Sequence, residues 1–78
     1  MNTKFPVIDI CATGTNIKTL LHEKHISIAT LAKLLGFKQP TAIYVWLRGD
    51  GLPSIDNLVI LSKILDVKID DLIVTKEV

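Results

Sequence analysis

Apolar residues recur at helical spacing through most of the 78-residue chain, and breaks in that recurrence mark the element boundaries. Ile17, Leu20 and Leu21 predict a first helix beginning near Thr15 or Asn16 and ending around Lys24-His25. Ile26 bridges to a second helix, Ser27 to Leu35, striped by Ile28, Leu31, Ala32 and Leu35. Ser27 suits its N-cap, and Gly36 follows its last apolar residue, where a helix end favours a residue tolerant of positive φ. Pro40 opens a third helix that runs to Arg48, with Ile43, Trp46 and Leu47 inward and Gly49 as its stop. Ala32 and Gly36 are expected to provide the small surface that a steep helix crossing needs. Beyond the loop Gly49-Asp50-Gly51 and the start signal Pro53-Ser54, Leu58, Leu61 and Leu65 stripe a fourth helix, Ile55 to Leu65. A short fifth helix runs from Ile69 to Leu72 or Ile73.

The two ends read differently. Phe5 to Ile10, FPVIDI, is rich in strand formers, with Pro6 tolerated only at an edge. Ala12-Thr13-Gly14-Thr15 reads as a turn, with an N-cap at its end. Leu72-Ile73-Val74-Thr75 again has strand character and is expected to pair with the first segment, within the chain or across a dimer. The resulting organisation is an extended N-terminal segment, 1–15, one helical domain, 16–74, and a tail, 75–78.

Length allows one domain with a small core. Cys11 has no partner in the chain, so no internal disulfide forms, which fits a reducing, cytoplasmic setting. Its bland reading is a small apolar residue near the N-terminus. No apolar run reaches bilayer length and the first residues lack a signal-peptide layout, so no membrane association is expected.

Net charge is only +1, but it is unevenly spread. Asn16 to Arg48 carries Lys18, Lys24, Lys33, Lys38 and Arg48 against the single acid Glu23. From Gly49 onward Lys63, Lys68 and Lys76 face Asp50, Asp56, Asp66, Asp70, Asp71 and Glu77, while Lys4 and Asp9 cancel at the front. The positive part coincides with two short helices joined by a tight turn, the arrangement that lays its second helix in the major groove of DNA.

The outward positions of that second helix are Gln39, Thr41, Ala42, Tyr44, Val45 and Arg48. Gln39 suits an adenine edge or merely caps the helix; Thr41 suits a base, a phosphate or a thymine methyl; Val45 suits only the methyl. Tyr44 either reaches phosphate through its hydroxyl or packs on Gly49-Leu52. Lys38 and Arg48 flank the helix as phosphate clamps, and Ser27 and Thr30 are placed for a phosphate at the start of the preceding helix. Against these stand plainer roles: Ser27 as a cap, Trp46 as core, Lys33 as a solvated chain. His22 and His25 have no third ligand at metal-binding spacing, and Asp66, Asp70 and Asp71 do not follow a calcium-loop pattern. No catalytic motif is present, so neither an enzyme, a metal nor a cofactor is expected.

Four blocks, IKTLLHEKHIS, LAKLLG, WLRG and LPSIDNLVILSKILDVKIDDLI, resemble the phage Cro and repressor class of helix-turn-helix domains, the XRE family, from Ile17 to Ile73. The resemblance implies an all-α, five-helix, lambda-repressor-like domain, here with a strand-like N-terminal segment. It also implies sequence-specific binding to duplex DNA, commonly as a dimer on a palindrome, in prokaryotic or phage transcription, with repression by occlusion. This chain departs twice from the family pattern. One extra residue lies between Gly36 and WLRG, and Ile28 stands where a glutamine often sits.

Hydrophobic residues form 49% of the chain, and Ile55, Val59 and Ile60 lie off the stripe of the fourth helix. A homodimer interface is the expected use of that surplus. Two rival expectations use the same surface: an antitoxin that binds DNA and a small protein toxin, or an interaction module that no longer binds DNA.

Overall fold

The computed structural model describes residues 5–77; the start of the N-terminal segment, with Lys4, and the last residue of the tail lie outside it. The element order is β1 (Pro6–Ile8), α1 (Ile10–Glu23), α2 (Ile28–Leu35), α3 (Thr41–Arg48), α4 (Ile55–Leu65), α5 (Ile69–Leu72) and β2 (Thr75–Glu77). Five helices enclose one core of Ile17, Leu21, Leu31, Ala32, Ile43, Trp46, Leu61, Leu65 and Leu72. Every helix contributes to it, so none has a complete hydrophobic environment alone. The stripes read from the sequence supply the core, with Leu20, Leu35, Leu47 and Leu58 half-buried at its margin.

The first helix differs from expectation. It begins at Ile10, not at Thr15 or Asn16, and Ala12-Thr13-Gly14-Thr15 is helix, not turn. Asp9 is the N-cap, its carboxylate accepting from the Ala12 amide at 3.0 Å. Thr13 and Gly14 are buried on the face that continues through Ile17 and Leu21. The apolar stripe therefore extends upstream through two residues that carry no hydrophobic signal.

The terminal segments pair within the chain, but the C-terminal strand is Thr75–Glu77 and not the expected Leu72–Thr75, since Leu72 is buried as the last residue of α5. β1 and β2 form an antiparallel ribbon in the register Pro6↔Glu77, Val7↔Lys76 and Ile8↔Thr75. The Asp9 amide donates to the Val74 carbonyl at 2.8 Å. Thr13 then locks the ribbon to α1, its hydroxyl donating to the Val74 carbonyl at 3.3 Å and accepting from the Val74 amide at 2.9 Å. Asn16 adds a second tie, donating to the carbonyls of Asp71 and Leu72 at 2.7 and 3.0 Å.

The four longer helices end alike. The residue after each last turn is left-handed, and the amides there fold back onto free carbonyls of the last turn. Glycine fills this place at Gly36 (φ 77°) and Gly49 (φ 79°), on either side of α3. His25 (φ 58°) and Asp66 (φ 55°) fill it after α1 and α4, where the sequence gives no glycine signal.

Candidate nucleic-acid interface

α2 and α3 are joined by five non-helical residues, Gly36 to Pro40. Phe37 closes α2, its amide donating to the Ala32 carbonyl at 2.8 Å, and its ring meets Trp46 edge-on with centroids 6.0 Å apart. The longer turn is thus pinned to the core by Phe37. Ala32 is buried, but Gly36 lies at no crossing, since a Cβ there would meet nothing within 4 Å. Its glycine answers the left-handed backbone instead. The close crossing is elsewhere: a Cβ on Gly14 would overlap the Trp46 carbonyl oxygen and lie 3.0 Å from that of Leu47.

Ile43 and Trp46 face the core and Leu47 is half-buried, as the helical phase requires. Lys38, Gln39, Thr41, Tyr44 and Arg48 are exposed along the turn and the opposite face of α3. Pro40 is the N-cap residue and makes no side-chain cap, so Gln39 is not held as one. Ala42 and Val45 correct the outward reading. Both are half-buried against the core, and Val45 Cγ1 stands 3.1 Å from where a Cβ on Gly51 would lie. They sit on the flank of the helix, each next in sequence to a buried residue, Ile43 or Trp46.

Ser27 caps α2, accepting from the Thr30 amide at 3.0 Å, and its hydroxyl donates to the Thr30 hydroxyl at 2.9 Å. Both residues are exposed at the start of the helix, where backbone dipoles favour an anion. Ile28, in place of the expected glutamine, is half-buried against the core. Arg48 carries a feature that sequence reading missed: its Nε donates to Asp50 Oδ2 at 2.9 Å. The acid two residues on was visible, but the left-handed turn at Gly49 that brings it round was needed to pair them.

The exposed surface thus formed carries three cations, Lys33, Lys38 and Arg48, on or between α2 and α3, with Leu34 also exposed on α2. Among the described residues, no group of three or more His, Cys, Asp or Glu side chains is placed to hold a metal ion. No helix among them is long and apolar enough to cross a membrane.

A helical domain with a turn-linked helix pair defines the class. The chain belongs to the helix-turn-helix family of the Cro/repressor (XRE) type, whose model matches residues 17–72. That family and this fold are those of DNA-binding regulators, not of enzymes. Solved structures agree. The restriction-modification controller protein C.AhdI from Aeromonas hydrophila is 28% identical, with a TM-score of 0.73 over 82% of this chain and 96% of that one. A Bacteroides fragilis protein inferred to bind DNA is 27% identical, with a TM-score of 0.70 over 90% and 100%. The DNA-binding domain of BldD, 14% identical, shares the fold with a TM-score of 0.69 over 83% and 93%. No curated protein matches the chain in sequence.

Proposed function

We propose that this chain is a sequence-specific, double-stranded-DNA-binding transcriptional regulator that docks α3 in the major groove. The observation that carries the reading is the exposed row Lys38, Gln39, Thr41 and Tyr44 at the turn and along the outer face of α3, with Ile43 and Trp46 fixing that helix from behind. Gln39 and Thr41 are the base-edge candidates, while Lys38, Tyr44, Ser27 and Thr30 position the backbone. Val45, on the flank, is left a thymine methyl at most. Arg48, whose Nε is engaged by Asp50, would reach a phosphate through its Nη groups or by exchanging Asp50 for it.

The regulator acts as a homodimer on a palindrome and represses by occluding the promoter. Support for the dimer comes from α4, where Ile55 is 78% exposed and Val59 and Ile60 are exposed beside it. Two-fold pairing would bury such residues and present two copies of α3 one helical turn apart. The same patch, with Arg48 held by its own acid, favours a second reading, an interaction module on the helix-turn-helix fold or an antitoxin with a small protein partner.

Selection from a pool of random duplexes tests the first reading. The expected result is an enriched palindrome whose affinity falls steeply between two salt concentrations. Absence of enrichment and of low-salt binding rejects DNA reading in favour of the second.

A further inference from the structure

The recognition helix takes its position from α1. α3 makes the most extensive helix–helix contact of the fold with α1, well beyond its contact with α2. The point of closest approach is Gly14. There the last-turn carbonyls of α3 approach the α1 backbone: that of Trp46, which accepts from the Gly49 amide, lies where a β-carbon would sit, and that of Leu47 lies 3.0 Å from it. A second approach lies one turn upstream: Cys11 Sγ and Cα would each be 2.9 Å from a Cβ on Gly49, the left-handed residue that ends α3. Two glycines, one on each helix, thus allow the backbones to meet. The surface that receives α3 is itself held from behind, through the two hydrogen bonds of the Thr13 hydroxyl to Val74 and those of Asn16 to α5. Gly14, Thr13 and Cys11 all precede residue 17, where the family match begins.

We infer that Gly14 is a positioning residue for DNA recognition, and that the N-terminal half of α1, tied to the C-terminal segment by Thr13, is the seat that sets the angle of α3. The inference rests on the DNA-binding reading for its functional meaning, but its geometry stands apart from it. Packed helices cannot take an added atom at a backbone contact without separating or rotating. In Gly14→Ala the shift would fall on α3, the shorter partner, which carries the base-edge candidates.

The test compares the full chain with Gly14→Ala and Thr13→Val by amide shifts and hydrogen exchange without DNA. Binding to the selected duplex and to a scrambled duplex is then measured at one salt concentration. Gly14→Ala is expected to keep its helical circular dichroism and to move the amide resonances of residues 41–49 more than those of α4. Its affinity for the selected duplex should fall about tenfold, while the scrambled duplex, held through phosphates, should change less than about threefold. Equal losses on both duplexes, or unmoved α3 resonances, overturn the inference. Should Gly14→Ala unfold, Thr13→Val decides, since it adds no atom at the crossing. Faster exchange in α3, with a reduced preference for the selected duplex, supports the seat, and unchanged exchange overturns it. Failure of the wild-type chain to select any duplex would reject the DNA reading, while the α3 resonances still decide whether α1 sets its angle.

Discussion

α3 and α4 turn similar faces inward and opposite faces outward. Ile43 and Trp46 of one, Leu61 and Leu65 of the other, enter the same core. Outward, α3 and the turn before it show Lys38, Gln39, Thr41, Tyr44 and Arg48, whereas α4 shows Ile55, Val59 and Ile60. The inward faces answer one demand, removal of apolar area from water, and therefore look alike. The outward faces are under no such demand from the fold, and their chemistry separates two uses. Hydrogen-bonding side chains near cations suit a hydrated polyanion. Adjacent exposed isoleucine and valine gain only by meeting another apolar surface.

The largest expected effect breaks the inward likeness. Trp46→Ala removes a buried aromatic that seats α3 and meets Phe37, and should cost about 3–5 kcal/mol of stability in denaturant titration. A loss below about 1 kcal/mol would mean that α3 is not anchored through its inner face. The outward difference is sharpened by Gln39→Ala. That change should leave stability within about 0.5 kcal/mol, since the side chain is exposed, yet cost about 1–3 kcal/mol of affinity for the selected duplex and relax its preference at one position. An unchanged preference would assign base reading to other residues of α3.

Ile55→Glu probes the other outward face. Placed at the most exposed apolar residue of α4, the charge should leave the monomer's stability within about 0.5 kcal/mol. In sedimentation it should abolish a dimer, and duplex affinity at fixed concentration should drop about tenfold as two linked half-sites become one. A dimer that survives would move the interface off α4.

How much of this was legible follows the same division. α2 and α4 could be read because apolar stripes follow start signals, Ser27 and Ser54, which do cap the helices they precede, and Gly36 marks the end of α2. The phase of α3 placed Gln39, Thr41, Tyr44 and Arg48 outward, as they are, but also Ala42 and Val45, which the structure half-buries against the core. The first half of α1 was illegible for a definite reason. Thr13 and Gly14 are buried by partners far along the chain, Val74 and the end of α3, and glycine in a helix is locally a breaker. Asp9 was hidden as a cap because it lies within a segment of strand formers. Left-handed His25 and Asp66 likewise carry no glycine signal, although both are residue types that tolerate positive φ better than most.

The smallest expected effect lies where the two helices join. Arg48 donates through Nε to Asp50, with both side chains about three-fifths exposed, at 61% and 62%. So exposed a pair contributes about 0–1 kcal/mol to stability, and Asp50→Asn should barely move the denaturation midpoint. On DNA the same change acts with a definite sign. It removes an acid beside the only arginine of the chain and releases that guanidinium for a phosphate. Affinity should rise severalfold at low salt, and the salt dependence should steepen by close to one phosphate contact, about 0.9 in the logarithmic slope. Arg48→Ala alone should do little in the wild-type background if Asp50 holds the side chain back, and should abolish the gain in the Asp50→Asn background. If Arg48→Ala already weakens binding sharply with Asp50 in place, the pair yields to DNA unaided. Arg48 then belongs to the working face of α3, and the boundary between the two outward surfaces falls after residue 50.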